Sequence, residues 1–134
     1  MKKIAVIILN WNGADLLRKF LPSVCAHTNA HIADVIVVDN GSDDNSVEVL
    51  KQEFPQVKTL LFPQNCGFAA GYNKALEMLD YKYAVLLNSD VETTPHWLEP
   101  LLEFTEDNPD VAACQPKIKS LRRREKFEYA GAAG

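Results

Sequence analysis

Cysteine, histidine, glycine motifs and long apolar runs are all scarce in this sequence, and each scarcity narrows the function. Three cysteines, Cys25, Cys66 and Cys114, lie far apart along 134 residues, with no C-x-x-C pair. Neither a disulfide framework nor a cysteine-zinc site is indicated, and reduced thiols in a cytoplasmic protein are the simplest expectation. His27, His31 and His96 share no metal-ligand spacing. Six glycines are present, but no G-x-G-x-x-G follows the first apolar run, where Asn10-Trp11-Asn12-Gly13 stands instead. Gly67 and Gly71 are one residue too close for a P-loop, and Tyr72-Asn73 follows in place of Lys-Ser. There is no G-x-S-x-G elbow of a hydrolase. The longest apolar run, Ile4–Leu9, falls far short of the ~20 residues that span a bilayer, and it is also too short for a signal peptide.

Positive charge is also in short supply. Fourteen basic against eighteen acidic residues give a net charge of −4, which argues against general nucleic-acid binding. The deficit is uneven. Residues 117–134 hold six basic and two acidic side chains (+4), leaving eight and sixteen (−8) in residues 1–116. The basic cluster is Lys117, Lys119, Arg122, Arg123, Arg124 and Lys126. It reads as a solvated hairpin or loop, or as a docking patch for an anionic membrane surface or a phosphate-bearing substrate.

Apolar residues make up 47% and charged residues 24%, so a packed core is expected and a disordered chain is not. Short apolar runs at Ile4–Leu9, Val35–Val38, Val57–Phe62 and Tyr83–Leu87, with a weaker one at Val111–Cys114, read as strands buried on both faces. Helical spacing appears between them. Leu16, Leu17, Phe20, Leu21 and Val24 form one stripe, which Pro22 should kink or break. Asn45 is a natural N-cap for a helix over Ser46–Phe54. Phe68–Leu79 places Ala69, Tyr72, Leu76 and Leu79 on one side, and Thr94-Pro95 looks like the opening of a helix running to about Asp107. The alternation predicts an α/β fold with a mostly parallel sheet between helices, in one domain over residues 1–134.

Each strand runs into a polar loop. The loops are Asn10–Gly13, Asp39–Asp44, Pro63–Gly67 and Asn88–Asp90. In a parallel sheet these four converge at the carboxyl edge, where open α/β sheets bind ligands. Turn chemistry alone accounts for Gly13, Gly41 and Ser42. It accounts less well for Asp39, which continues an apolar strand and needs hydrogen-bond partners or a ligand if buried. Asn88 and Asp90 are two residues apart, so strand geometry would point both the same way. Their hard oxygens suit a divalent cation that takes its other ligands from phosphate and water. An Asx turn ahead of the next helix is the other reading of that spacing.

Three segments together resemble a known family. Val38-Asp39-Asn40-Gly41-Ser42-Asp43-Asp44, Asn65-Cys66-Gly67-Phe68-Ala69-Ala70-Gly71-Tyr72-Asn73 and Leu86-Leu87-Asn88-Ser89-Asp90 are similar, in order, to the signatures of family 2 glycosyltransferases. The likeness is to the rhamnosyltransferase-like bacterial branch and covers essentially the whole chain. The resemblance implies a three-layer α/β/α GT-A fold and transfer of a sugar from a UDP- or dTDP-linked donor. The acceptor would be a hydroxyl of a glycan or lipid-linked molecule, with inversion, in bacterial polysaccharide or glycoconjugate synthesis. It implies that Asn10, Asn12, Asp39 and Asn40 line the base and ribose pocket and that Asn65 and Gly67 border the nucleotide. It also implies that Asn88 and Asp90 stand for the family's D-x-D, with Asp90 the main ligand of Mg²⁺ or Mn²⁺. Many relatives carry a second Asp where Asn40 stands.

The family's general base comes from the second half of its domain. No family-like base motif follows Asp90, and Glu125 and Glu128 are the only carboxylates near the end. The expectation is therefore an amino-terminal donor-binding portion with its catalytic base beyond Gly134. It would be cytoplasmic, in contact with the inner membrane face through Lys117–Lys126, with self-association through exposed sheet edges. Two other classes compete. A sugar-nucleotidyltransferase resembles G-x-G-T-R near the first strand, and Asn10–Gly13 offers no such match. The other is a non-catalytic, flavodoxin-like or receiver-like nucleotide-binding module; a receiver needs an acidic pair after the first strand, where Asn10 and Asn12 stand, and a lysine after the fifth, near which Lys117 lies.

Overall fold

The computed structural model describes residues 3–107, 118–119 and 127–129. The chain divides into two compact units, Met1–Pro95 and His96–Gly134. The first unit alternates β1 (Ile4–Asn10), α1 (Ala14–His27), β2 (Ala33–Asn40), α2 (Ser46–Glu53), β3 (Lys58–Phe62), α3 (Phe68–Met78) and β4 (Tyr83–Leu87). The four strands form one sheet in the order β3-β2-β1-β4, and every pair is parallel.

That order dictates the layers. The chain steps from β1 to β2 to β3 in one direction, then returns past β1 to β4. Right-handed crossovers therefore put α1 and α2 on one face and α3 on the other. The expected α/β architecture with a parallel sheet is the one observed. On the α3 side, Ala5, Ile7, Ile36, Val38 and Phe62 pack with Tyr72 and Ala75. The alternate residues Ile4, Val6, Ile8 and Val37 are buried on the opposite face, as are Leu17, Leu21 and Val24 of α1 and Val49 and Leu50 of α2. β1 is thus apolar from Ile4 to Leu9 because both its faces are covered.

Several local expectations are corrected. Pro22 does not break α1, which runs unbroken for 14 residues. Pro22 lies on the exposed side with Arg18, where water can take the carbonyl that proline leaves unbonded, while Leu17, Leu21 and Val24 hold the buried side. The buried stripe of α3 is Gly71, Tyr72 and Ala75, not Ala69 and Leu76. Small residues let this helix approach the sheet closely, and the Tyr72 hydroxyl donates to the Leu87 carbonyl at 3.1 Å, tying α3 to β4. β2 extends through Asp39 and Asn40, so both are rungs of the ladder: Asn10 pairs with Asp39, and Asn40 with Phe62.

In the second unit, α4 (Glu99–Asp107) begins later than Thr94-Pro95 proposed. His96 adopts a left-handed φ of 58°, which no helix accommodates, and Pro100 takes the first-turn place where a missing N–H costs nothing. β5 (Ile118–Lys119) pairs antiparallel with β6 (Phe127–Tyr129), as a hairpin requires. The proposed strand at Val111–Cys114 lies outside the described residues. So does the basic cluster, apart from the backbone of Lys119.

The carboxyl-edge loops are braced by polar contacts. Asn45 occupies the N-cap of α2 but its side chain makes no capping bond there. Asp44 does that work: its Oδ1 accepts from the Ser46 amide at 2.9 Å and from the Ser46 hydroxyl, and its Oδ2 accepts from the Ala14 amide at 3.2 Å. One carboxylate thus stabilises the positive ends of both α1 and α2. Burial alone would raise the Asp44 pKa, but the donations from Ser46, Ala14 and its own amide outweigh that and hold it below the ordinary value. Gly41 is the second brace. Its φ is +73°, and a Cβ there would lie 2.5 Å from the Gln64 carbonyl carbon and 2.6 Å from the Asn65 nitrogen.

Gly41→Ala is therefore expected to lower the unfolding free energy in urea by more than ~1–2 kcal/mol, the cost of the left-handed backbone alone. An unchanged midpoint would show that the two loops are not packed backbone to backbone. For Asp44, the lowered pKa means that the unfolded chain binds a proton more readily than the folded one. Its contribution is complete above the ordinary carboxylate pKa of 3.8 and is lost as pH falls through the lower folded value. Thermal melts between about pH 5 and pH 2.5 should fall less steeply for Asp44→Asn than for wild type. Parallel slopes would contradict the bracing role.

Candidate functional site at the carboxyl edge of the sheet

The last residues of β1 and β2 are polar and nearly sealed from solvent. Asn10 is 1% exposed and Asp39 and Asn40 are 2% exposed. Strand alternation sends Asp39 and Asn40 to opposite faces. Asp39 joins Asn10 on the face of α1 and α2, and Asn40 joins the loop that leads into α3.

Asp39 is held on three sides. Its Oδ1 accepts from Asn10 Nδ2 at 3.0 Å and from the Ser42 hydroxyl at 2.6 Å, and its Oδ2 accepts from the Ser42 amide at 3.0 Å. A carboxylate offers about four lone-pair directions, so one on Oδ2 stays open. The orientation of the Asn10 amide follows from the same network. Its NH₂ must face the carboxylate, which accepts only, and this leaves Asn10 Oδ1 buried without a partner. Asn10 Oδ1 lies against Gly13 and is sealed from solvent, so the acceptor direction left for a ligand is the one on Asp39. A carboxylate lone pair without a donor is costly, so this spot is suited to a ligand edge that presents a hydrogen-bond donor.

Asn12 and Asn40 are brought to the same edge, but as struts. Asn12, with φ 51°, accepts at Oδ1 from the amides of Asp43 (2.7 Å) and Asp44 (3.2 Å), joining the first loop to the second. Asn40 Nδ2 donates to Asn65 Oδ1 (3.2 Å) and the Gly67 carbonyl (3.1 Å). Its Oδ1 accepts from the Cys66 amide at 3.1 Å and the Cys66 thiol at 3.3 Å. The hydrogen-bonding capacity of Asn40 is thus spent within the chain, and Asn65 Oδ1 is engaged as well, accepting also from the Gly67 amide at 2.7 Å.

Gly67 caps α3 with φ 88° and ψ 169°, a region open essentially to glycine alone. Its chain neighbours aside, no atom of the described residues lies within 4 Å of where its Cβ would stand. The backbone demands glycine here, and the open space leaves room for a ligand against the exposed first turn of α3. That turn carries no side-chain cap, so its N–H groups favour an anion.

Asn88 and Asp90 sit in a different setting. β4 ends at Leu87, Asn88 follows outside the strand, and Ser89-Asp90 form a turn, with Asn88 and Asp90 both exposed. The expectation that strand geometry aligns the two side chains is corrected, because neither belongs to a strand. Ile8 pairs with Leu87, so this loop leaves the sheet beside Leu9 and Asn10. Among the described residues, no group of three or more His, Cys, Asp or Glu is placed to hold a metal ion. Asp90 and Asn88 offer two hard oxygens, a donor set that fits a small divalent cation completing its shell with phosphate and water.

Sequence reasoning passed over four residues. Ser42 reads as a turn residue and Asp44 is given no role of its own, yet they hold Asp39 and two helix ends. Their signal was a hydroxyl and a carboxylate placed three and five residues after an acid that closes an apolar strand. Trp11 stands between two site asparagines and is 54% exposed. Phe68, 66% exposed, meets the Tyr72 ring edge-on at 5.0 Å. Among the described residues, no helix is long and apolar enough to cross a membrane.

The chain is similar to several known proteins. The chain is 34% identical over 116 residues to the glycosyltransferase YibD of Escherichia coli (strain K12), covering 84% of this chain and 33% of that protein. It is 24% identical to the N-acetylglucosaminyl-diphospho-decaprenol L-rhamnosyltransferase of Mycobacterium tuberculosis (strain ATCC 25618 / H37Rv), covering 87% of this chain and 41% of that one. The fold resembles crystalline S. aureus TarS 1-349 with a TM-score of 0.69 at 20% identity, covering 80% of this chain and 33% of that one. The chain thus spans about a third of the length of the curated relatives it matches. The model of glycosyl transferase family 2 matches residues 5–130, nearly the entire chain, and the protein belongs to that family.

Proposed function

We propose that residues 1–134 form the donor-binding part of a metal-dependent, inverting glycosyltransferase. The donor is a nucleoside-diphosphate sugar carrying uracil or thymine, and the acceptor is a hydroxyl of a glycan or lipid-linked molecule in bacterial polysaccharide or glycoconjugate synthesis. The observation that carries this reading is the Asn10–Asp39–Ser42 cluster, whose open acceptor direction on Asp39 adjoins an exposed carboxylate loop across β1. Uracil and thymine each present one imide N–H, and the ribose presents hydroxyls. Asp39 is suited to accept from such a donor, with Asn10 holding its carboxylate in place. Asn40, Asn65 and Asn12 shape the pocket walls from within, and Gly67 with the first turn of α3 offers N–H groups to the anionic part. The acceptor class is supported by the mycobacterial relative, whose name places its acceptor on a decaprenol diphosphate.

Transfer breaks the bond from the anomeric carbon to the diphosphate, so positive charge grows on the sugar and negative charge on the leaving group. Mg²⁺ or Mn²⁺ held by Asp90 and Asn88 would neutralise that leaving group as a Lewis acid when bound. Asp39 and Asn10 fix the base end, which sets the direction in which the diphosphate extends. The acceptor hydroxyl attacks from the opposite side with help from a general base, a role this reading assigns to none of the described residues. The basic residues Lys117–Lys126 serve as a contact with the anionic cytoplasmic face of the membrane.

UDP or dTDP at about 100 times its dissociation constant should stabilise the chain by about 2.7 kcal/mol in Mn²⁺. EDTA should abolish most of that gain, and Asp90→Ala should bind weakly with or without the metal. Equal nucleotide stabilisation in Mn²⁺ and in EDTA would overturn the metal-ligand role.

A further inference from the structure

Ser42 is half-buried, and its hydroxyl has no freedom. The Asn12 amide donates to Ser42 Oγ at 2.9 Å and Asn10 Nδ2 donates at 3.4 Å. Both partners are donors only, so the single Ser42 proton has one place to go, which is Asp39 Oδ1 at 2.6 Å. The Ser42 amide meanwhile donates to the other carboxylate oxygen at 3.0 Å. One residue thus grips both oxygens of Asp39, and its grip is itself set by the two asparagines of the first loop. The carboxylate plane cannot turn about its χ2 without breaking one of these bonds. The result is a single acceptor direction on Oδ2 left for a ligand.

We propose that Ser42 is a positioning residue for the donor base: by locking the Asp39 carboxylate it aims one lone pair at the imide N–H of the pyrimidine and makes that contact selective. The inference rests on the reading of Asp39 as the base contact. Selectivity follows from pre-organisation. A carboxylate free to rotate accepts from many donors in many poses, including water, whereas a fixed one rewards only a donor on its line. A purely structural Ser42, one that merely orders the loop between β2 and α2, would affect every ligand of the cleft alike.

The test compares wild type, Ser42→Ala, Ser42→Thr and Asp39→Asn by calorimetric titration in Mn²⁺. The probes are UDP and its N3-methyl derivative, which keeps ribose and diphosphate but lacks the imide proton. Thermal melts report whether each variant is folded. Wild type should prefer UDP over the methylated probe by about tenfold or more, the usual worth of a hydrogen bond to a charged group. Ser42→Ala should lose most of that preference, with affinity for the methylated probe changing less than about twofold. Ser42→Thr keeps the hydroxyl and the amide and should stay within about threefold of wild type for both probes.

A Ser42→Ala variant that weakens both probes equally, or keeps the preference intact, overturns the positioning role. If Ser42→Ala does not fold, Ser42→Thr and Ser42→Cys carry the test, the thiol being too long and too weak a donor to hold the preference; a preference undiminished in Ser42→Cys overturns the role. If Asp39→Asn leaves both affinities unchanged, or wild type binds neither probe, the base-pocket reading itself fails and the inference with it. If Asp39→Asn removes the preference while Ser42→Ala retains it, only the role of Ser42 fails.

Discussion

A carboxylate that is almost completely sealed from water, at the end of a parallel sheet, is the constraint around which this fold is arranged. Asp39 closes β2 directly after an apolar run and is 2% exposed. Burying an ionised group without partners costs several kcal/mol, so the chain must supply donors at that spot. It does so from two loops at once, Asn10 from the end of β1 and Ser42 from the start of the β2–α2 connection. Satisfying Asp39 therefore fixes the relative position of two loops. Asn12 and Asp44 extend the same bracing to the starts of α1 and α2.

Asn40 performs the matching task on the other face. Alternation along β2 turns it toward α3, where its amide bonds to Asn65, Cys66 and Gly67. Two adjacent residues of one strand thus organise the loops on both sides of the sheet, and Gly41 next in line allows the second and third loops to touch backbone to backbone. The edge is rigid where it would hold a base and open where it would meet an anion, at the uncapped first turn of α3 and the exposed loop 88–90. This division suits a ligand with a flat polar end and a charged end. It accords with membership of a family of sugar transferases, and the transfer reaction itself remains our proposal for a chain that covers about a third of its relatives.

Much of the fold was legible because β1 and β2 are buried on both faces, and such strands announce themselves as unbroken apolar runs. The alternation with helices then specified a parallel sheet. The errors have local causes. Pro22 was given too much weight because its face could not be known, and an exposed proline costs little when the buried side holds. The face of α3 is legible in part: Tyr72 is buried as its spacing predicts, whereas Gly71 and Ala75, which make the close contact, carry too little apolar surface to mark a face. The start of α4 was misplaced because Thr94-Pro95 and Pro100 both carry first-turn chemistry, and only the backbone of His96 decides between them. At the site, Asp39 stood out by position alone. The structural engagement of Asn12, Asn40 and Asn65 was not legible, since an asparagine that braces a loop and one that binds a ligand look the same in sequence.

The central claim is that nucleotide binds at the carboxyl edge, against the patch built on Asp39. A titration of the isotope-labelled chain with UDP and Mg²⁺, followed by amide chemical shifts, tests it most directly. The account predicts shifts concentrated at residues 10–13, 39–44, 65–68 and 88–90. Asp34, Lys58 and Tyr81, which bond to one another at the opposite end of the sheet, should stay unmoved. Shifts centred on that opposite end, or none at saturating nucleotide, would contradict it.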